Sequence, residues 1–132
     1  MLASTILHEL GHATLGHCIG DKKKTDRNTK EDNHQEEYAA DNYAIHHLLA
    51  LKNYKPLAWE IIEYVADPDL KRETFTHPAA IDRAKNILTQ FNEHLKSEAL
   101  SVQDLMSSEN TILNRQTKKL LLRALERLKA ES

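Results

Sequence analysis

The segment HELGH, residues 8–12, has the spacing of a metal-binding helix, and the predicted fold is organised around that helix. Histidines four residues apart lie on one face of an α-helix, so both imidazoles can reach a single metal ion. Glu9 projects beside them, where its carboxylate can hold a water molecule. The spacing predicts a helix that carries His8 and His12 as two ligands of a zinc ion. Gly11 either lets another element pass close to the metal or is tolerated without purpose.

The composition of the 132 residues favours a helical protein in a reducing compartment. Only three Gly and three Pro occur, and the alternation typical of strands is nearly absent. The formal net charge of −2 gives no field that would attract nucleic acid or a membrane surface. No apolar run reaches the roughly 18 residues of a membrane span. The single cysteine, Cys18, has no internal disulfide partner, so we expect a cytoplasmic protein.

Apolar periodicity predicts an all-α fold of about five helices in one domain, residues 1–132. The first helix is predicted at 2–19, with Gly20 as its C-terminal stop, and a polar connector follows at 21–33. Later helices are predicted at 34–52, 56–66, 78 to about 95–99, and 111–130. We expect about 1–99 to form the metal-binding core and 100–132 to form a C-terminal helical extension. The basic face of the last helix is interpreted as solvated surface.

The second predicted helix offers the third protein ligand that a catalytic zinc site usually has. Glu37 and Asp41 are four residues apart and share one helical face, so we assign Glu37 as that ligand. Asp41 is expected to accept a hydrogen bond from the outer nitrogen of a ligand histidine and to fix its tautomer. Glu36 is the competing ligand, but Ala40 occupies the position where its carboxylate partner would be.

Among the other histidines, His77 has the most informative surroundings. It lies in THPAAIDR, residues 76–83, before Pro78 and six residues before Arg83. Taken alone, the segment predicts a helix N-terminus with Thr76 or His77 near the cap. Taken with the zinc motif, it suggests that His77 or Arg83 returns to the metal site. The remaining histidines are interpreted as surface or packing residues: His17, His34, His46, His47 and His94.

Three blocks, HELGH, EYAAD (37–41) and THPAAIDR, together resemble the gluzincin metallopeptidases. EYAAD and the later His-Pro…Arg block resemble the HtpX and CAAX-prenyl-protease type and the phage-exclusion Lit peptidases. The short gap from His12 to Glu37, and HELGHATLGH itself, also resemble the ImmA/IrrE metallopeptidases. The resemblance covers about residues 4–90.

The resemblance implies a zinc-dependent metalloendopeptidase with a zincin-like helical core. Its zinc ligands would be the three residues already assigned from spacing, and Asp41 would orient one of them. Glu9 would act as the general base. His77 and Arg83 would support the site, either by hydrogen bonding to Glu37 or Asp41 or by stabilising the oxyanion.

Zincins usually place a β-sheet before the motif helix, and its edge strand holds the peptide substrate in extended form. No sequence before HELGH can make that sheet, so we expect a protein or peptide substrate and a partner or missing segment that supplies the strand. The chain would then be a peptidase fragment. In an alternative, it is a non-catalytic, zinc-stabilised domain that binds or regulates a partner. In a third, HELGH is accidental and the chain is a helical scaffold without metal.

Overall fold

The computed structural model describes residues 2–16 and 29–131. These residues form six helices and no strand, which confirms the predicted all-α fold. The helices are α1 (Leu2–Thr14), α2 (Lys30–Ala50), α3 (Lys55–Val65), α4 (Ala80–Lys96), α5 (Val102–Leu105) and α6 (Arg115–Glu131). No helix in these two ranges has both the length and the apolar character that crossing a bilayer requires. The predicted features that lie outside the described residues are His17, Cys18, Gly20 and most of the connector at 21–33.

The first helix ends earlier than predicted. The N–H of Leu15 donates to the carbonyl of Gly11 at 2.9 Å, and Gly16 follows with a φ of +81°. Glycine adopts this left-handed conformation at little steric cost, which is why it commonly ends helices. α1 therefore ends at Thr14, before the predicted end at residue 19, and Leu15 and Gly16 lie outside it. Residues 17–19 of that prediction are outside the described part of the chain.

The second helix begins at Lys30 rather than at residue 34. Thr29 Oγ1 accepts a hydrogen bond from the Asp32 N–H at 3.0 Å, and the Asp32 carboxylate accepts one from the Thr29 N–H at 3.3 Å. This capping box satisfies backbone donors of the first turn. Residues 30–33 were predicted as connector because they are charged and carry no apolar period, and the cap outweighs that deficit.

The later helices lie close to their predicted positions. α3 carries Pro56 in its first turn, as expected. α4 begins at Ala80 rather than near Pro78, and its cap is Ala79 in extended conformation rather than Thr76 or His77. α6 begins four residues later than predicted, at Arg115, and the short α5 was not predicted.

The hydrophobic core lies among α2, α3, α4 and α6. Its largest fully buried side chains include Phe91, Leu48, Leu57, Ile61 and Ile87, and each such side chain stabilises the fold by about 1.5–3 kcal/mol. The second half of α2 contributes to this core, so the first half is held rigidly where it faces α1. Most of the EYAAD segment, residues 37–41, lies in that first half of α2.

Gly11 marks the closest approach of α1 to α2. A Cβ placed on Gly11 would lie 3.0 Å from Tyr43 Cβ and 3.2 Å from both Cα and O of Ala40. These contacts would be tighter than nine in ten that real Cβ atoms make, and two of the three atoms belong to the backbone of α2. The close approach of the two helix backbones therefore favours glycine at position 11. Of the two interpretations of Gly11, the close passage of another element is the one that the structure shows.

Gly11→Ala is expected to lower the free energy of unfolding by about 1–3 kcal/mol, because the added methyl group pushes α1 away from α2. The sign is diagnostic, since glycine to alanine inside a helix ordinarily stabilises by about 1 kcal/mol. Urea unfolding of the metal-free protein measures the change. Ala13→Gly, at an exposed position of α1, gives the helix-propensity effect alone. A Gly11→Ala variant more stable than the parent would contradict the proposed close packing.

Candidate metal centre

The helices α1 and α2 bring the three predicted ligands together. The Nε2 atoms of His8 and His12 lie 3.1 Å apart. Glu37 Oε1 is 3.3 Å from His8 Nε2, and Glu37 Oε2 is 2.9 Å from His12 Nε2. All three ligand atoms lie within 4.8 Å of one another, and no other group in the described ranges meets this criterion. The arrangement could hold one metal ion.

This geometry distinguishes between the two candidate glutamate ligands, Glu37 and Glu36. Glu37 belongs to the group of three, and its carboxylate spans both histidines. Glu36 is not a member of the group. Glu9, predicted as the general base, lies on α1 beside His8 and is exposed to solvent.

Asp41 lies behind His8 and away from the ligand atoms. Its Oδ1 is 2.8 Å from His8 Nδ1, and the residue is only 4% exposed. A hydrogen bond donated by Nδ1–H to this carboxylate leaves His8 Nε2 free to bind a metal. Asp41 therefore contacts the ring nitrogen of His8 that is not directed at His12 and Glu37.

Arg83 of α4 bridges two carboxylates of α2, those of Asp41 and Glu37. Its Nε donates to Asp41 Oδ2 at 2.9 Å and its Nη2 to Asp41 Oδ1 at 2.7 Å, a bidentate pair. Nη2 also reaches Glu37 Oε1 at 3.5 Å. These contacts place the guanidinium on the buried side of the site, hydrogen-bonded to both Asp41 and Glu37.

Tyr64 of α3 completes the surroundings of Arg83, a contact that no motif in the sequence predicts. The guanidinium carbon lies 5.0 Å from the centre of the Tyr64 ring, a cation–π contact. Burial raises the pKa of the Tyr64 hydroxyl, so the phenol stays neutral at physiological pH. The packing of α3 against α4 therefore places the Tyr64 ring over the charge of Arg83.

His77 lies at the rim of the centre. Its Nε2 is 3.7 Å from Glu37 Oε1, and its Nδ1 is 2.8 Å from Thr76 Oγ1. The side chain is 54% exposed, in contrast to the buried Arg83. His77 therefore faces both the ligand carboxylate and solvent.

The loop before α4 is fixed to the start of α2. The Asn33 amide donates to the Phe75 carbonyl at 3.2 Å, and His34 Nε2 donates to the Thr74 carbonyl at 2.7 Å. His34, interpreted from the sequence as a surface or packing residue, thus has a structural contact. Asn33 and His34 lie about one helical turn before Glu37 on α2. Their two contacts therefore hold the loop that carries His77 near Glu37.

The centre contains a strong pair of opposite charges. Burial alone would lower the pKa of His8, but hydrogen bonds and charges from Asp41 and Glu37 outweigh it and raise that pKa to about 9. Burial alone would raise the pKa of Glu37, but the hydrogen bond from His8 and the charges of His8, His12 and Arg83 lower it to about 2. In the metal-free protein at neutral pH, His8 is therefore an imidazolium held between two carboxylates, and metal binding must displace its proton.

The stability of the metal-free protein is expected to fall between pH 6.5 and about 9. Below pH 6.5, His8 is protonated in both the folded and unfolded states, so its ion pairs contribute fully. As pH rises through the folded-state pKa of about 9, this contribution is lost. Thermal unfolding in chelator from pH 6 to 10 measures the trend. A His8→Gln variant should show a flatter dependence, and equal slopes for the two proteins would contradict the prediction.

Comparison with known proteins gives one match. The sequence model of the family described as Peptidase U49 matches residues 2–103. The matched range contains the whole centre, from His8 to Arg83, and ends before α6. Comparisons with curated proteins and with solved structures give no match.

Proposed function

The chain belongs to the Peptidase U49 family, and we propose that it is a zinc-dependent metalloendopeptidase of the gluzincin type. The observation that carries the proposal is the convergence of His8, His12 and Glu37 on one point between α1 and α2. Family membership supports peptide-bond hydrolysis and a protein substrate. The residue types at the centre support the metal.

The donor set fits zinc. Two imidazoles and one carboxylate, with a fourth position left for water, are a common ligand set of catalytic zinc. Ligand atoms about 2.0–2.1 Å from a tetrahedral zinc ion are about 3.3 Å from one another. His8 Nε2 lies 3.1 Å from His12 Nε2 and 3.3 Å from Glu37 Oε1, both close to that value. The other Glu37 oxygen, Oε2, lies 2.9 Å from His12 Nε2, so the carboxylate adjoins both histidines.

The proposed chemistry is hydrolysis by an activated water. A zinc ion bound here would polarise the scissile carbonyl and lower the pKa of a bound water. Glu9, exposed beside the ligands, takes a proton from the attacking water and passes it to the leaving amine. Asp41 holds His8 in the tautomer that offers Nε2, and Arg83 holds Asp41 in place.

His77 is assigned a role on the open side of the centre. Its imidazole is near enough to Glu37 to hydrogen-bond the carboxylate after a small movement, and it is half-exposed. From this position it can also donate to the oxygen on which negative charge develops during hydrolysis. Arg83, which is buried and already paired with Asp41, is a positioning residue for the ligand carboxylates.

Chelator-sensitive cleavage tests the proposal. The purified chain, supplied with one equivalent of zinc, is incubated with an unfolded protein and with a peptide library, and new termini are identified by mass spectrometry. We expect cleavage that stops with chelator and returns with added zinc. Cleavage that persists in chelator would contradict a zinc-dependent mechanism.

A second candidate function is a non-catalytic, zinc-stabilised binding domain. The observation that favours it is that the described residues contain no strand, so they offer no sheet edge on which an extended peptide could lie. Stoichiometric zinc without any chelator-sensitive cleavage would support this function. Cleavage that appears only when a partner or additional segment is supplied would instead support the peptidase.

A further inference from the structure

A small cavity lies behind His8, on the side opposite the metal ligands. Its volume is about 10 Å³, and its polar walls are Ser4, His8, Asp41 and Glu60, with apolar side chains closing the rest. Glu60 belongs to α3, the helix that also carries Tyr64. The cavity therefore joins a half-buried carboxyl group on α3 to the back of the metal centre.

Ser4 connects Glu60 to the helix that carries the ligands. Ser4 is four residues before His8, one turn along α1 on the same face, and is only 2% exposed. Its side chain lines the same cavity as Glu60, and hydrogen bonding by Ser4 lowers the pKa of the Glu60 carboxyl group. Burial raises the pKa of Glu60, the hydrogen bond with Ser4 opposes that shift, and the charge of Asp41 reinforces it. Asp41 and Glu60 are near each other, since both line this cavity.

The same face of α3 also supports the other partner of Asp41. Glu60 and Tyr64 are four residues apart, so they share one helical face. Tyr64 covers the Arg83 guanidinium, and Glu60 contacts Ser4 beneath His8. One face of α3 thus supports the cation and the histidine that Asp41 binds.

We propose that Glu60 is a positioning residue of the metal centre, which through Ser4 fixes the turn of α1 that holds His8 against Asp41. The inference rests on the proposed metal-binding role of His8. It adds a third layer to the centre, since His8 is oriented by Asp41 on α2 and its helix is held in register by Glu60 on α3.

Zinc affinity and metal-free stability, measured on the same variants, test this role. Replacing a group that orients a metal ligand typically weakens metal binding by about 10–100-fold. We expect a weakening of this size for Glu60→Leu. The melting temperature of the metal-free protein should fall only slightly, because the buried Ser4 hydroxyl loses its partner while an apolar side chain replaces a half-buried carboxyl group. Glu60→Gln, which keeps a hydrogen-bonding group for Ser4, should bind zinc nearly as the parent does. Glu63→Leu, at an exposed position of α3, is the matched control and should also bind normally.

The outcomes separate the positioning role from a structural one. Ser4→Ala should reproduce part of the affinity loss, which keeps the test open even if Glu60→Leu folds poorly. Parental zinc affinity in both Glu60→Leu and Ser4→Ala would overturn the inference and leave the proposed zinc site intact. Loss of affinity matched by loss of metal-free stability, with no rescue by Glu60→Gln, would also overturn it. Absence of zinc binding by the parent would instead reject the proposed function.

Discussion

Glu9→Gln is expected to lower the rate of peptide cleavage by about 10²–10⁴-fold, the usual contribution of a general base. The amide keeps the size of the carboxylate but cannot accept the proton of the attacking water. Because Glu9 is exposed and lies outside the group of three ligands, zinc content and melting temperature should remain those of the parent. Initial rates on a verified peptide, with zinc measured in the same samples, give both results.

Glu126→Gln is the matched control for this experiment. Glu126 is an exposed carboxylate on α6, beyond the part of the chain that the family model matches. We expect its rate to equal that of the parent. A Glu9→Gln variant with full activity would reject Glu9 as the base, and a variant that has also lost its zinc would leave the rate uninterpretable as a test of proton transfer, so zinc content is the first quantity to compare.

Asp41→Leu is expected to lower the free energy of unfolding by about 3–5 kcal/mol, the cost of removing one partner of a buried ion pair. Asp41 accepts both hydrogen bonds of the bidentate Arg83 pair and contacts His8 Nδ1. Without the carboxylate, the buried guanidinium keeps a long contact to Glu37 and the Tyr64 ring, but it loses its two short hydrogen bonds. Urea unfolding in the presence of chelator measures this loss without a contribution from bound metal.

The double variant Asp41→Leu/Arg83→Met separates charge burial from metal binding. Removing both charges should restore most of the lost stability, since apolar replacement of a buried pair is often neutral. Zinc affinity should remain about 10–100-fold weaker, because His8 has still lost the group that orients it. A single Asp41→Leu variant within about 1 kcal/mol of the parent would contradict a buried, energetically coupled pair.

The pairs of residues within one helix were predictable from the sequence. His8 with His12, and Glu37 with Asp41, are each four residues apart, and helical spacing alone puts each pair on one face. The structure then places the two faces against each other. What the sequence left open was why they meet, and the close packing at Gly11 supplies that reason.

The contacts made by α3 and α4 could not be predicted in the same way. Arg83 had two candidate roles, and the choice between them depends on the path of α4 across α2, which no local pattern specifies. Tyr64 and Glu60 support the site from α3 through tertiary packing alone. Helix ends were missed for a different reason: Gly16 and the capping box at Thr29 are local signals that apolar periodicity does not detect.

Zinc content of the purified chain and of two neighbouring variants tests the proposed centre most directly. Glu37→Ala removes a ligand, whereas Glu36→Ala changes the adjacent glutamate, which lies outside the ligand group. After saturation with zinc and removal of excess metal, elemental analysis should give one zinc ion per chain for the parent and for Glu36→Ala, and little for Glu37→Ala. Full zinc retention by Glu37→Ala, or a parent chain that binds none, would contradict a site formed by His8, His12 and Glu37.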